Sequence, residues 1–375
     1  MISPQLQELN KEFEDGGGVW KKYRIVDIFE VKNTHNILSS WITENSGSVP
    51  YLTATQNNNS VSTFISYNKE MIDEGNSIFI GGKTLVISYQ EKDYFSNDSH
   101  NLALYFKDEI HRTKPIQLYM VSALYKSLKP LYSWGNSISK QKIQNDSVSL
   151  PTLNNKIAFS YMENYIKALE AERIETLEAY LAVTNLKDYK LTEKEEIALS
   201  KYGSYEWEFF NLSKLFGKAT RGRRLKSSDR IQGVLPFVTA GEADMGISAF
   251  VGNDIIIFPE NTITIDMFGS AKYRNYKYGA DDHVAVVHTE KNSKWANLFL
   301  TTCIHNVANS GKFSYSRNFY AKDADELNIL LPVKDGKIDY DFMNHIGRAI
   351  EKMVIKDVVE WSSNRLDTTK KIKAK

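Results

Sequence analysis

The sequence predicts an α+β chain, with two strand-rich units related by pseudo-two-fold symmetry and separated by two long antiparallel helices that pair as a coiled-coil-like spacer. Three observations predict it. The 375-residue chain repeats itself. Short β-rich runs punctuated by Asn, Gly and Ser fill each repeat. A long stretch with apolar residues at helical spacing closes each repeat.

The repeat can be followed along most of the chain. Trp20-Lys-Lys-Tyr-Arg-Ile-Val-Asp-Ile-Phe29 returns as Trp207-Glu-Phe-Phe-Asn-Leu-Ser-Lys-Leu-Phe216, and Pro50-Tyr-Leu-Thr-Ala54 as Pro236-Phe-Val-Thr-Ala240. Asp98-Ser-His100 returns as Asp281-Asp-His283, Leu150-Pro151 as Leu331-Pro332, and Lys156 to Met162 as Lys337 to Met343. The offset shrinks from 187 residues at the start to 181 at the end, as small loop deletions would cause.

The elements then follow in order. Residues 1–19, ending in Asp15-Gly-Gly-Gly18, read as a short N-terminal arm and flexible link. Residues 20–151 form the first unit, with strands at Tyr51 to Thr53, Ser77 to Ile80, Leu85 to Tyr89 and Leu102 to Phe106, and a helix from Pro115 to Leu128. Residues 152–203 form a helical spacer. Met162, Ile166, Leu169, Leu177 and Leu181 mark one apolar stripe in it, and Thr192-Glu-Lys-Glu195 has the form of a capping box opening a short helix.

Residues 204–332 form the second unit, with strands at Phe237 to Thr239, Ile255 to Phe258, Thr262 to Ile265 and Val284 to Val287, and a helix from Trp295 to Ala308. Residues 333–375 form the second spacer, its stripe being Ile346, Ile350, Met353, Val354, Val358 and Trp361. The basic tail from Lys370 to Lys375 is expected to fray.

Hydrophobic residues at 42% and charged residues at 25% are ordinary for a soluble globular chain, and no apolar run approaches the roughly 18 residues of a membrane span. Met1 to Asn10 lacks the pattern of a secretory signal, and the single Cys303 has no disulfide partner, so a cytoplasmic protein is expected. A net charge of +1 argues against coating nucleic acid by charge alone. The distribution is uneven, however. Lys214, Lys218, Arg221, Arg223, Arg224, Lys226 and Arg230 crowd one loop, while acids gather between Glu170 and Glu178.

Catalytic signals are sparse, and no catalytic residue is expected. Gly81-Gly-Lys-Thr84 resembles the end of a phosphate loop, but Ser77 stands where that pattern needs Gly. Asp281, Asp282, His283 and His288 suit a turn held by acid and imidazole better than a metal site, so no metal is expected. Cys303 reads as a packed residue. The chain has no Pro-Pro pair, hence no Asp-Pro-Pro-Tyr run for an amino-methylating enzyme, and no glycine-rich cofactor loop after a strand.

Binding signals are richer. Arg221, Arg223, Arg224 and Lys226 flank Gly222 in a loop able to approach a phosphate backbone closely. Lys312, Tyr315, Arg317 and Asn318 mix aromatic and basic residues, and Trp134, Asn136 and Lys140 lie in the matching loop of the first unit. Thr55, Gln56, Asn57 and Asn58 concentrate polar groups suited to adenine, while the equivalent loop, with Thr239 and then Gly241-Glu242-Ala-Asp244, carries acids that could accept from cytosine. Lys83, Lys272 and Arg274 complete the candidate DNA-binding set. Two copies of a scaffold with divergent polar loops suit a two-part, non-identical sequence.

Trp207 to Phe216, Arg221-Gly-Arg223, Pro236 to Gly241, Thr262 to Gly269, Tyr278 to His283, Phe313-Ser-Tyr315 and Leu330-Leu-Pro332 are similar to target-recognition domains. With the duplication, they make the chain resemble a specificity subunit of a type I restriction-modification system, or of the related type IIB systems. The resemblance implies two target-recognition domains, each gripping half of a bipartite site in double-stranded DNA. It implies DNA methyltransferase subunits docked on the helices, to which Glu170, Glu172, Glu175 and Glu178 belong, and a restriction nuclease subunit. S-adenosylmethionine, ATP and Mg2+ would sit on those partners, with no cofactor on this chain, which does no chemistry itself. The other expectations are a stand-alone DNA-binding regulator or adaptor and an autonomous DNA-modifying enzyme.

Overall fold

The structure, a computed structural model, describes Ser3 to Lys373, with side chains through Leu366; the basic tail from Lys370 thus lies outside the described side chains. Two compact units appear. One reaches to Leu177 and takes in the closing helix from Arg365, and the other is Glu178–Asn364. No helix among the described residues is long and apolar enough to cross a membrane.

Among the described residues each unit holds three small sheets, and the connectivity is the same in both. In the first, Val19–Arg24 pairs antiparallel with Ser147–Leu153, placing Trp20 opposite Pro151. In the second, Glu206–Asn211 pairs with Asn328–Lys334, placing Trp207 opposite Pro332. A four-stranded sheet orders Phe29–Asn33, Leu102–Phe106, Ser77–Ile80 and Ile87–Gln90, and its counterpart orders Thr220–Arg221, Ala285–Val287, Thr262–Ile265 and Ala271–Arg274. The third sheet carries a parallel pairing in each unit, Tyr51 beside Phe95 and Phe237 beside Gly279.

The cores match position by position. Ile25, Ile78, Ile80, Leu150 and Met162 are buried in the first, and Leu212, Ile263, Ile265, Leu331 and Met343 in the second. Each such side chain contributes about 1.5 to 3 kcal/mol by leaving water. The helices Lys114–Leu128 and Lys294–Ala308 cover the four-stranded sheets.

The expected N-terminal arm is instead a helix, Pro4–Asp15, for which Ser3 accepts from the Leu6 N–H and Pro4 supplies the first turn. It buries Leu6 and Phe13, and Phe13 packs 4.2 Å from the Tyr161 ring. Phe342, the repeat counterpart of Tyr161, is covered by Tyr205 at 3.8 Å and by Tyr202, which follow the helix Glu193–Lys201. Each repeat therefore opens with a helix seated on its long closing one.

Two expected strands differ. The run from Leu85 becomes a strand only at Ile87, because Leu85 takes φ +54 in a turn. Ile255 to Phe258 is a loop with a single bridge from Phe258 to Tyr278, and Ile256 and Ile257 face solvent. Its apolar run resembles a strand, but among the described residues pairing is limited to that one bridge.

The long helices are Phe159–Val183 and Tyr340–Lys373. Within the second unit Ser362 donates to Glu178 (Oγ to Oε1), while Lys352, ten residues earlier, pairs with Asp188 at 3.0 Å and Glu195 at 3.1 Å, so residues 178–195 run opposite to this stretch of the closing helix. The face buried on the closing helix is Ile346, Ala349, Lys352, Val359 and Ser362. Of the expected stripe only Ile346 is buried; Ile350, Met353, Val354, Val358 and Trp361 are exposed, since apolar residues occupy two faces and the chain covers one.

Candidate nucleic-acid interface

In the second unit the basic loop, the turn at Ala280, the loop 239–246, the turn at Asp266 and the aromatic loop 312–319 are joined into one ridge by main-chain bonds and by the Asp266 carboxylate. The basic loop comes first. The Arg223 N–H donates to the Ala280 carbonyl at 2.9 Å, and a Cβ on Gly222 would lie 1.8 Å from that same oxygen, so only glycine permits the approach. His288 fixes its base, with Nε2 2.8 Å from Thr220 Oγ1 and Nδ1 2.9 Å from Glu290. The side chains of Arg221, Arg223, Arg224 and Lys226 project into solvent, with no hydrogen-bond or ion-pair partner among the described residues.

From Ala280 the ridge continues to the loop 239–246, since the Asp281 N–H donates to the Val238 carbonyl and the Thr239 N–H to that of Gly246. Asp266 Oδ2 accepts from the Gly241 N–H at 3.3 Å, while its Oδ1 accepts from the N–H groups of Phe268 and Ser270. The Met267 carbonyl then accepts from the Phe319 N–H, bringing in the aromatic loop 312–319. There Tyr315 is exposed and meets Phe268 edge-on at 5.2 Å, and Lys312 is exposed.

The first unit repeats the main-chain bonds, with Gly81 where the second has Asp266. Thr53 N–H donates to Ser60, Asn97 N–H to Leu52 and Ile138 N–H to Gly82, matching Thr239 to Gly246, Asp281 to Val238 and Phe319 to Met267. Asn58, Asn59 and Ser60 take positive φ, as do Asp244, Met245 and Gly246. The side chains differ throughout. Gln56 and Asn57 are exposed; Thr55 is partly buried and accepts from the Asn57 N–H, and Asn58 bonds back to the Val61 carbonyl. Trp134 and Lys140 are exposed, whereas Asn136 serves the turn, donating to Leu131 and accepting from Lys142. Lys83 lies 3.7 Å from Asp98.

Two expected DNA contacts are interior residues. Arg274 is 1% exposed; it donates to Thr264 Oγ1, to the Met245 carbonyl and to Tyr276. Lys272 is 6% exposed, between Asp266 at 3.5 Å and Glu242 at 3.2 Å. Both alternate inward on their strand, a phase that charge hid from a count of basic residues. Arg317 is on the surface but clasped by Asp323, which raises the guanidinium's pKa and holds it over the Phe313 ring at 5.2 Å. Asn318 is partly buried beside it. Glu178 is also buried, bonded to Ser362 and Lys187, so it cannot serve as a docking acid; Glu170 and Glu175 are exposed and Glu172 is half-buried.

The remaining motifs have local roles. The Gly81 and Gly82 N–H groups bond to Val86 and to Asn101 Oδ1, leaving no open cradle of amides for phosphate. Asp281, Asp282 and His283 have ligand atoms within 4.8 Å of one another, but the Asp282 N–H donates to Asp281 and His283 pairs with Asp282 at 3.0 Å. In the first unit Asp98 accepts from both the N–H and the ring of His100, so acid and imidazole hold this turn in each copy. Burial pushes the Cys303 thiol up to about 11, the wrong direction for a nucleophile.

A family model, the type I restriction modification DNA specificity domain, matches residues 18–179 and again 205–361. The chain is similar to the Type II restriction enzyme BgcI specificity subunit S.BcgI of Heyndrickxia coagulans, 24% identical over 346 residues, covering 90% of this chain and 96% of that one. A solved type I restriction-modification S subunit from M. genitalium shares the fold, with a TM-score of 0.57 at 15% identity over 94% of each chain.

Proposed function

The chain belongs to the type I restriction modification DNA specificity domain family, and on that premise we propose that each unit reads one half of a bipartite site in double-stranded DNA. One observation carries this. The loops of both units are held by the same main-chain bonds, while the exposed side chains they present differ: Gln56, Asn57 and Trp134 in one, Arg221, Arg223, Glu242 and Tyr315 in the other. A rigid scaffold with exchanged side chains can direct different donors and acceptors at base edges.

Methylation and cleavage then lie on partner subunits, which bring S-adenosylmethionine, ATP and Mg2+. The closing helix supports a docking role through its exposed apolar face, Ile350, Met353, Val354, Val358 and Trp361, more than through the acids of the first long helix. Selection of the full chain from randomised duplex DNA tests the reading: two short defined sequences separated by a fixed undefined spacer are expected, and enrichment of no sequence would refute it. The double substitution Met353→Lys with Val358→Lys should abolish co-purification of a methyltransferase while leaving that selected sequence unchanged.

A further inference from the structure

Thr53-Ala-Thr-Gln-Asn-Asn-Asn-Ser60 and Thr239-Ala-Gly-Glu-Ala-Asp-Met-Gly246 occupy equivalent hairpin tips. Both tips are braced from the neighbouring strand by the same bond. Gln90 donates to the Asn59 carbonyl at 3.0 Å, and Arg274 donates to the Met245 carbonyl at 2.8 Å. Gln56 and Glu242 therefore leave the backbone at the same place, each two residues before the first of three left-handed residues.

Their surroundings differ in a correlated way. Opposite Thr264 stands Lys272, and opposite the matching Phe79 stands Ser88. Glu242, 76% exposed, is ion-paired to the buried Lys272, which also faces the buried Asp266. In the first unit the loop residue is the neutral Gln56, the strand residue is Ser88, and Gly81 stands in place of Asp266. An acid at the tip thus occurs with a buried lysine behind it, and an amide occurs without one. Lys272 pairs with the Glu242 carboxylate and fixes its position while leaving it lone pairs with which to accept a further bond. The Ser270 hydroxyl and Lys272 hold the Glu242 carboxyl below its usual range, so it is ionised at neutral pH.

Resting on the DNA reading above, we propose that Glu242 is a base-reading residue of the second unit. It accepts a hydrogen bond from an exocyclic amine on the major-groove edge, N4 of cytosine or N6 of adenine, and excludes the keto edges of guanine and thymine at that position. Gln56 is its counterpart in the first unit, an amide able to donate and accept at once.

The test selects the full chain, Glu242→Gln and Gln56→Glu separately from randomised duplex DNA, then measures affinity for the selected duplexes. Glu242→Gln should change the preferred base at one position of one half-site, and Gln56→Glu at one position of the other. Replacing the recognised base by its amine-free analogue, 2-pyrimidinone for cytosine or purine for adenine, should weaken the natural chain about 10-fold and Glu242→Gln much less. The analogue that acts identifies the base. If the natural chain selects a bipartite site and Glu242→Gln selects the same bases with the same affinity, the inference fails alone. If the natural chain selects nothing, the DNA reading fails and the inference falls with it.

Discussion

Trp134 and Tyr315 stand at the same corner of the same four-residue turn, closed by Ser133 with Asn136 in one unit and Ser314 with Arg317 in the other, and they are 82% and 85% exposed. A large aromatic left this exposed by a structured turn gains little for folding, Tyr315 keeping its edge contact with Phe268, and it becomes useful when a ligand covers it. Replacing either by Ala should leave thermal stability unchanged within about 0.5 kcal/mol. Affinity for the selected DNA should fall by about 1 to 2 kcal/mol, each through its own half-site. Equal affinity in binding titrations would remove both residues from the interface.

The arginines of the second unit should separate into two groups. Arg221→Ala, Arg223→Ala and Arg224→Ala combined should lower DNA affinity and flatten its dependence on salt, with no change in melting temperature. Arg274→Ala leaves the Met245 carbonyl without its side-chain partner in the interior and Thr264 Oγ1 with its bond to the Lys272 carbonyl alone, and should destabilise the unit by about 2 kcal/mol or more. Calorimetry and salt titration on the two variants distinguish these outcomes.

Lys352 and Glu195 fix the segment 184–192 and the helix Glu193–Lys201 to the closing helix. Burial alone would raise the Glu195 carboxyl, but the Thr192 N–H and the Lys352 ammonium outweigh it and hold it below its ordinary 4.5. Its contribution is therefore complete above pH 4.5 and lost as the pH falls through the lower, folded value. Burial alone would lower Lys352, but Asp188 and Glu195 raise it above 10.5, so its contribution is complete below that pH and lost on the alkaline side. Lys352→Met should cost about 3 kcal/mol at neutral pH by leaving Glu195 buried and unpaired. Denaturant titrations across pH should show the acid slope reduced in Glu195→Gln.

Much of this fold was legible because the repeat doubles every signal. The strands Ser77–Ile80, Leu102–Phe106 and Thr262–Ile265 coincide with runs that occur twice, and Thr192 makes the capping box its spacing suggested. The helix Pro4–Asp15 was hidden because its few apolar residues sit in a polar stretch with no motif in common with Glu193–Lys201. Exposure was the least legible property. A strand alternates its faces, so Lys272 and Arg274 point inward together, and composition cannot tell that phase from the outward one. The left-handed triplets at Asn58 and Asp244 were also invisible, because Met245 and Ser60 adopt a conformation their residue types rarely favour.

Exchange of one unit tests the central claim most directly. The pairing of Val19–Arg24 with Ser147–Leu153 closes the first strand-rich segment on itself, so residues 19–153 can be replaced by the matching segment of another family member with the junctions kept in register. The recognition sequence of the chimera is then determined by selection from randomised duplex DNA, or by mapping methylation in cells that supply the partner subunits. The account predicts that one half of the site changes to that of the donor while the other half stays as in the natural chain. A chimera that folds and changes both halves, or neither, would contradict it.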